Sequence, residues 1–428
     1  MGRSGAVVKY YLYKATEAVE FYRPIMYLYL LSQGLSFTHI VIIEALYNLT
    51  TVLGEVPTGY IGDRIGRRNS LLVGSALITA TLFGIALASS FLAFAGLFIC
   101  WSLGYNFRSG TEDAWVYETL TDVERSDEFT SVRGRGQSIA LTAGVGASLV
   151  GGYLGGIDLA YPFLAAALFT GAGLLVIATL DEPTTYVESG SSQLGINEAW
   201  GVVTQTVGQR RLRSFIAYYF VLFSAVTYLV FIFLQPVFES VVTDLDVRLT
   251  LAIPIPGHDL PVTLTIATDR VEVLLGVYYA AINLVSAAIT YRIGRIRRVI
   301  GLRRWFIGVP LLVGGLLAAM VVVPPIALIA LFVGWACVEP TRVLAGQYVN
   351  DRIETLGRAT VLSAMAMVSA VTVIPFQLGS GVISDVLSPL IALSIAGGIL
   401  LVGSVAIMRW ESPIDDTPVT SRLTADAP

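Results

Sequence analysis

Long apolar stretches alternate with short polar gaps along nearly the whole chain. A transmembrane α-helix needs about 20 apolar residues, and twelve stretches approach or exceed that length. They cover residues 12–33, 38–61, 70–90, 92–118, 136–158, 161–180, 213–236, 272–292, 305–323, 326–349, 359–384 and 388–409. Because hydrocarbon offers no partner to an unpaired backbone amide, each stretch is expected to be helical. The pattern predicts an all-α membrane protein with twelve transmembrane helices.

A polar gap divides this pattern into two sets of six helices. We predict an N-terminal six-helix bundle (1–180), a cytoplasmic linker (181–212) and a C-terminal six-helix bundle (213–428) that ends in a short cytoplasmic tail (410–428). An internal repeat supports two pseudo-symmetric halves. Four residues of the fourth stretch recur at a constant offset in the tenth: Leu97, Phe98, Trp101 and Arg108 return as Leu331, Phe332, Trp335 and Arg342.

Arginines are concentrated in every second polar gap. The even-numbered gaps contain Arg64, Arg67, Arg68, Arg125, Arg133, Arg135, Arg210, Arg211, Arg213, Arg292, Arg295, Arg297, Arg298, Arg303, Arg304, Arg352 and Arg358. The odd-numbered gaps are short and nearly uncharged, apart from the one after the seventh stretch. Since positive residues favour the cytoplasmic side, we expect the even-numbered gaps and both termini in the cytoplasm.

The exceptional outer gap, residues 237–271, alternates between apolar and polar positions. Its apolar positions are Leu245, Val247, Leu249, Leu251 and Ile253, followed after a Pro- and Gly-rich turn by Val262, Leu264 and Ile266. A period of two on both sides of a turn is typical of a β-hairpin. We therefore predict a small external β-hairpin between helices seven and eight, which is either a lid over the outward-facing cavity or a passive decoration.

Composition excludes several other classes of protein. The 428 residues are 55% hydrophobic and 14% charged, whereas a soluble domain is about 25% charged. The two cysteines, Cys100 and Cys337, lie in apolar stretches and are expected to be free, buried thiols. His39 and His258 stand alone near outer loops, which argues against a metal site. Nearly all basic residues are arginines and the isoelectric point is about 5.4, which indicates either a halophilic prokaryote or a GC-rich genome.

The cytoplasmic loop between the second and third helices carries the most specific motif. It comprises Gly59, Tyr60, Ile61, Gly62, Asp63, Arg64, Ile65, Gly66, Arg67 and Arg68. This loop resembles the signature loop of the major facilitator superfamily, and with the twelve-helix layout the resemblance covers nearly the whole chain. It implies a secondary transporter in which the loop latches the two halves in the outward-open state.

The expected latch has two kinds of residue. Gly59, Gly62 and Gly66 belong to the motif, and the first two permit close approach of helices. Its charged members, by the same resemblance, are Asp63, Arg64, Arg67 and Arg68, to which we add Asp113 and Glu118 as expected partners of Arg67 or its neighbours. The copy in the second half is degraded, because Arg298 stands where an aspartate would align. The fifth helix also lacks the Gly-Pro of the family's antiporter motif, which argues against an antiporter.

Ionisable residues within membrane helices are expensive and are treated as functional candidates. By the resemblance, helices one, four, seven and ten line the central cavity. The candidates for a substrate or proton site are Arg23, Glu44, Asn48, Arg108, Glu112, Tyr228, Glu339 and Arg342. The alternative is that Arg108 with Glu112 and Glu339 with Arg342 form self-neutralising pairs that only hold helices together. Residues Glu44, Asn48, Thr51, Glu55 and Thr58 form one stripe of the second helix, which faces either a substrate path or helix eleven.

These features favour a proton-coupled exporter of small organic compounds in a prokaryotic cell membrane, similar to multidrug-type permeases. The alternative is ion-coupled uptake of an anionic metabolite through Arg23, Arg108 and Arg342. An integral-membrane enzyme or a transporter-like sensor is less consistent with the sequence, which has neither a clustered nucleophile nor a nucleotide-binding motif. The expected partners are a small-molecule substrate, a proton and the lipid bilayer. We expect a monomer with no cofactor and no nucleic acid.

Overall fold

The computed structural model describes residues 5–17, 19–183, 212–245, 249–253, 262–266, 270–350, 352 and 358–414. Helices dominate the part that it describes. The first nine are α1 (Gly5–Ala15), α2 (Val19–Tyr22), α3 (Met26–Ser32), α4 (Phe37–Ile65), α5 (Arg67–Leu87), α6 (Phe91–Arg108), α7 (Thr111–Thr121), α8 (Phe129–Gly155) and α9 (Tyr161–Ala178). The others are α10 (Arg213–Asp244), α11 (Val271–Tyr291), α12 (Ile293–Val299), α13 (Leu302–Ala319), α14 (Ala327–Ala336), α15 (Val338–Asn350), α16 (Arg358–Val386) and α17 (Pro389–Trp410).

Ten helical segments among the described residues are long and apolar enough to cross a membrane. They correspond to ten of the twelve predicted stretches, and the protein is a multi-pass membrane protein. The count of twelve remains a prediction, because the first and fourth stretches are interrupted. The first is divided into α1, α2 and α3, and the fourth into α6 and α7.

Local backbone chemistry explains both interruptions. Pro24 lies between α2 and α3 and has no N–H to donate to a preceding helical turn. Gly110 separates α6 from α7 with a φ of +74°, a left-handed conformation that glycine adopts without a steric penalty. Two positions that the hydrophobic pattern places inside continuous helices are therefore main-chain breaks.

Backbone contacts group the described residues into two compact units. One unit contains those of Met1–Gln193 and Gln235–Asn283, and the other contains those of Leu194–Leu234 and Leu284–Pro428. The C-terminal part of α10 and the first part of α11 thus cluster with the first six predicted stretches. Most of the predicted linker, residues 184–211, lies outside the described residues, and the predicted two-bundle division stays a prediction.

Two strands follow α10. Strands β1 (Leu249–Ile253) and β2 (Val262–Ile266) pair antiparallel. The register matches Leu249 with Ile266 and Leu251 with Leu264, whereas Thr250 pairs with Thr265. Apolar positions thus pair with apolar positions, as the alternation of the sequence requires. The predicted turn, which includes His258, lies outside the described residues, and so does Val247.

An apolar core joins the ends of α1, α5, α7, α8 and α9 that lie near the motif loop. Its fully buried members are Tyr10, Tyr13, Leu71, Trp115, Val116, Leu120, Val132, Ile177 and Leu180. Trp115 also donates a hydrogen bond from Nε1 to the carbonyl of Asp181 at 3.0 Å. This core fixes α1 against α7, and it therefore sets the position of the charged residues that the two helices carry.

The expected burial of the cysteines is corrected. Both cysteines are free, but Cys100 is exposed and Cys337 is half-buried rather than buried. The apolar stretch around Cys100 led to the prediction of burial, yet an apolar residue on a membrane helix can equally face lipid. The ring and backbone of His39 form a capping box with Ser36 at the start of α4.

Candidate functional site

Four charged side chains form a half-buried network between α1 and the α6–α7 break. Nζ of Lys14 lies 2.7 Å from Glu17 and 2.8 Å from Glu112, and Nη2 of Arg108 lies 2.7 Å from Glu17. The positive and negative charges alternate through space and sum to zero. The exposed fractions of the four side chains lie between 6% and 21%, so each charge depends on its neighbours more than on water.

Two tyrosines complete this network. Nε of Arg108 donates to the hydroxyl of Tyr13 at 2.9 Å, and the hydroxyls of Tyr10 and Tyr13 each lie 3.4 Å from a carboxylate oxygen of Glu112. Glu112 thus faces one ammonium group and two hydroxyl groups. Groups that can both donate and accept hydrogen bonds allow a proton to move between neighbours, so the arrangement suits proton handling.

The proposed self-pairing of Arg108 with Glu112 is wrong. The residues are four apart in sequence, but the chain turns at Gly110 between them, and Arg108 binds Glu17 while Glu112 binds Lys14. The sequence did not single out Lys14 as a site residue. Lys14 is 5% exposed. In the sequence, its position within one of the apolar stretches is the feature that could have indicated a buried ion pair.

A second polar cluster surrounds Glu20 at the break between α2 and α3. Nη1 of Arg23 lies 2.9 Å from Oε1 of Glu20. Nδ2 of Asn283 and the hydroxyl of Ser148 donate to Oε2 at 2.9 Å and 3.3 Å. Arg23 is therefore bound to a carboxylate that α8 and α11 also hold, and α8, α11 and the first stretch converge on one group.

The polar stripe of α4 is only partly buried. Glu44, Asn48 and Thr58 are buried, whereas Glu55 is exposed. Oε1 of Glu44 accepts a hydrogen bond from the hydroxyl of Tyr27 at 2.9 Å. Glu44 thus connects α4 to the α3 end of the break, close in sequence to Arg23.

The candidates in the second unit are organised differently. Glu339 and Arg342 do form the predicted local pair, with Nη2 of Arg342 2.8 Å from Oε1 of Glu339. Their side chains are 41% and 71% exposed, so the protein encloses this pair far less than it encloses the Lys14 network. Tyr228 on α10 is half-buried with its ring against Phe231.

The motif loop forms a compact charged corner of the first unit. Arg67 lies 2.8 Å from Asp63 and 3.1 Å from Glu118.

Gly66 has a φ of +91° and turns the chain from α4 into α5. A side-chain carbon on Gly62 would approach the Ser70 hydroxyl to 2.9 Å, which is too close for a larger residue without a shift. The guanidinium of Arg64 lies over the ring of Tyr60.

Asp113 does not belong to this corner, contrary to expectation. It binds Arg133 on α8, with Nε of Arg133 2.6 Å from Oδ1 of Asp113. Glu118, farther along α7, takes the expected place beside Arg67. The sequence places both acids near the loop. The rotation of α7 about its own axis decides that Glu118 faces Arg67 and Asp113 faces Arg133.

Glu182 is an additional member of the corner that sequence analysis missed. Its carboxylate accepts the backbone N–H of Arg67 at 2.5 Å and that of Arg68 at 3.0 Å. These are free amides at the positive N-terminal end of α5. A pocket of about 310 Å³ adjoins this contact and is lined by Asp63, Arg64, Ile65, Gly66, Arg68, Asn69 and Glu182.

Comparisons with known proteins agree with this architecture. The sequence profile of the Major Facilitator Superfamily matches residues 18–367. The uncharacterized MFS-type transporter YxaM of Bacillus subtilis (strain 168) is 26% identical over 149 residues, which are 34% of this chain and 36% of that protein. The aligned region thus spans about a third of the length of this relative.

Solved structures with the same fold cover almost the whole chain. A variant of the nucleoside transporter NupG has a TM-score of 0.77 at 11% identity, covering 95% of this chain and 99% of that one. A POT family transporter in complex with 5-aminolevulinic acid has a TM-score of 0.65 at 13% identity, with 96% of each chain covered. A D-xylose-proton symporter has a TM-score of 0.61 at 13% identity, covering 94% and 96%. At these identities the similarity concerns the fold.

Proposed function

Because this chain belongs to the Major Facilitator Superfamily, we propose that it is a proton-coupled secondary transporter of small organic molecules that works by alternating access. The family and its fold make it a transporter, and the coupling ion, substrate and direction are our proposal. Export is the direction that the resemblance to multidrug-type permeases favours. We expect the protein to act in the cell membrane, where a proton gradient is available.

The observation that carries proton coupling is the environment of Glu112. This carboxylate lies in a half-buried network with Lys14, Tyr10 and Tyr13. Protonation of Glu112 would remove one negative charge and leave Lys14 with Glu17 as its remaining partner. A change of charge within such a network alters which helix arrangement is favoured, and this is the property that proton coupling requires.

The pairing of the arginines favours a substrate without net negative charge. Arg23 and Arg108, which the anion hypothesis requires, each have a carboxylate within 3 Å, namely Glu20 and Glu17. An anionic substrate would have to displace these carboxylates, and the desolvated carboxylate would then lack its partner. Two of the similar structures are named for a nucleoside and for D-xylose, and neither compound carries a net charge. We therefore extend the proposal to neutral or zwitterionic substrates.

The second candidate function is uptake. The D-xylose-proton symporter has the same fold at a TM-score of 0.61, and the departure of α8 from the antiporter motif also favours symport. Proteoliposomes with a defined orientation separate the two directions. An exporter moves substrate against its gradient when protons enter from the opposite face, whereas a symporter moves substrate and protons the same way.

The experiment has two stages. Thermal unfolding of the purified protein in the presence of nucleosides, sugars, dipeptides and cationic drugs identifies a ligand, because binding to the folded state raises the melting temperature. Transport of that ligand is then measured in proteoliposomes over a range of pH. We expect Glu112→Gln to flatten the pH dependence, with Glu44→Gln and Glu339→Gln measured in parallel.

Asp127→Asn is the matched control, since Asp127 is an exposed carboxylate before α8 and is expected to leave the pH profile unchanged. Unaltered pH-dependent transport in all three glutamine variants contradicts proton coupling through these residues. A ligand that is transported without any response to the proton gradient contradicts coupling altogether.

A further inference from the structure

The break in the first stretch contains a main-chain gap that a side chain fills. In a continuous helix, the N–H of Tyr27 would donate to the carbonyl of Arg23 four residues earlier. Here the amide of Gln235 lies between these two groups. Its Oε1 accepts the N–H of Tyr27 at 2.7 Å and approaches that of Leu28 at 3.4 Å, while its Nε2 donates to the carbonyl of Arg23 at 2.6 Å.

The chemistry of the partners fixes the orientation of this amide. A backbone N–H can only donate and a backbone carbonyl can only accept, so Oε1 must face Tyr27 and Nε2 must face Arg23. Gln235 is 0% exposed, and Nε2 also lies 3.4 Å from the hydroxyl of Tyr279. Loss of the amide would remove these hydrogen bonds at a site from which the side chain of Gln235 excludes water, which is costly.

Gln235 lies where α10 itself is easily deformed. The next residue, Pro236, is inside the helix and removes one of its backbone hydrogen bonds. Farther back in the same helical segment, residues Ile216–Phe223 are π-helical, a form that is often found at functional sites. Gln235 is also the first residue of the part of α10 that groups with the first unit.

We propose that Gln235 is a positioning residue that inserts into the first stretch, holds the α2–α3 break open and thereby keeps Arg23 beside Glu20 in this state of the transport cycle. This inference rests on the proposed alternating access. When α10 withdraws, the N–H of Tyr27 donates to the carbonyl of Arg23, as in a continuous helix. Helix α3 then starts at Pro24, a residue that suits the first position of a helix, and the backbone that carries Arg23 moves.

The contact therefore acts as a switch between two satisfied arrangements. In one, Gln235 completes the hydrogen bonds of the break; in the other, the helix completes its own. Each state satisfies the same two backbone groups, so the hydrogen bonds of the backbone contribute little to the net energy of the exchange. A polar side chain is required for this exchange, since an apolar residue of the same size would favour the closed helix in both states.

Two variants test the proposal. Gln235→Leu keeps the volume and removes both hydrogen bonds. Gln235→Glu retains them only at low pH, because a protonated carboxyl accepts from Tyr27 and donates to Arg23, whereas a carboxylate cannot donate and repels the carbonyl. Gln377→Leu is the matched control, since Gln377 on α16 is also 0% exposed but its side-chain amide has no hydrogen-bond partner among the described residues.

The readout is a distance that needs no substrate. Nitroxide labels are attached to Ser89→Cys and Thr243→Cys in a protein whose native cysteines are replaced by Cys100→Ser and Cys337→Ser. Both labelled positions are exposed and belong to the first unit. Pulsed electron paramagnetic resonance measures the distance between the two labels. This distance reports whether the part of α10 that begins at Gln235 stays with the rest of the first unit.

The two states of the switch should give two populations of the distance between labels 89 and 243, a short one with Gln235 inserted and a long one with α10 withdrawn. We expect Gln235→Leu to change the ratio of these populations by about fivefold or more, the effect of losing one net hydrogen bond. Gln235→Glu should match the unaltered protein at low pH and Gln235→Leu at high pH, whereas Gln377→Leu should match the unaltered protein throughout. Unchanged distances in Gln235→Leu, or a Gln235→Glu variant that does not respond to pH, overturn the proposal. If Gln235→Leu fails to fold, the pH response of Gln235→Glu decides alone.

The measurement separates this proposal from the function on which it rests. A protein that changes its distances as described but transports nothing in proteoliposomes retains the Gln235 switch and refutes the proposed transport. A protein that transports a ligand with unchanged kinetics in Gln235→Leu refutes the switch and leaves the transport function intact.

Discussion

Nη2 of Arg108 lies 2.7 Å from Oε1 of Glu17, although the two residues are 91 positions apart in sequence. The same carboxylate lies 2.7 Å from Lys14, so Glu17 bridges two cations that come from different helices. Glu112 is the other carboxylate of the network, and it binds Lys14. Glu17 is therefore the residue that links the two cations of the network.

Replacing Glu17 by glutamine should destabilise the protein. Glu17→Gln leaves two cations with one carboxylate in a half-buried environment, and removing one member of such a pair is unfavourable. Since the side chains are 16% to 21% exposed, we expect a loss of about 1–3 kcal/mol in the free energy of unfolding, less than for a fully buried pair. Thermal unfolding followed by tryptophan fluorescence measures this loss.

Glu339→Gln provides the control for that experiment. The Glu339–Arg342 pair has similar geometry but much greater exposure, so its loss should change the melting temperature very little. Equal changes in both variants would mean that burial does not determine the contribution of the Glu17 network.

Asp63→Asn should impair transport while expression stays near normal. Arg67 is held between Asp63 and Glu118, and loss of one carboxylate weakens the motif corner without opening the core. The result is a changed population of transport states rather than unfolding. Asp113→Asn is the control, because Asp113 binds the exposed Arg133 outside this corner. Transport at the unaltered rate in Asp63→Asn would contradict the latch.

Gly152→Ala should weaken the packing of α8 against α11. A methyl group at Gly152 would approach the carbonyl of Glu272 to 2.6 Å and Cα of Gly276 to 2.8 Å. The two backbones would have to separate, a distortion that costs about 1–3 kcal/mol. Gly146→Ala in the same helix meets nothing within 4 Å and should be neutral or slightly stabilising. The nitroxide distance between positions 89 and 243 should increase only in Gly152→Ala.

The loop that contains Arg64 should be cytoplasmic and the segment that contains His258 external, according to the arginine distribution. Single-cysteine variants at these two positions, Arg64→Cys and His258→Cys, are tested with an impermeant thiol reagent on intact cells, and only the His258→Cys variant should react. Cys100 must be replaced first, because it is exposed. Reaction at both positions, or only at Arg64→Cys, contradicts the predicted topology.

Some features of the fold were predictable because they depend on short stretches of chain. Helices such as α5 and α9 follow from apolar stretches of bilayer length, for which a helix is the available solution. The Glu339–Arg342 pair was predictable as well, since residues three apart on one helix are neighbours whatever surrounds them. The motif loop indicated the family and the charged residues that the loop itself contributes to the corner, but it did not indicate Glu182.

The breaks at Pro24 and Gly110 changed what local spacing could predict. Arg108 and Glu112 are four residues apart, but the turn at Gly110 directs them to different partners. Asp113 and Glu118 were both reasonable partners for Arg67, and only the rotation of α7 assigns Glu118 to it. A periodicity argument assumes a continuous helix, and it fails where the helix ends.

The sequence by itself determined the membrane class, the family and most of the helices of this protein, because hydrophobic length and a contiguous motif are local properties. Only the tertiary structure decided which charges meet and that Gln235 fills the gap between Arg23 and Tyr27. Those contacts join residues as far as 212 positions apart, and they depend on the packing and rotation of several helices at once. Many arrangements satisfy the hydrophobic pattern equally well, so pairing of buried polar groups selects among them.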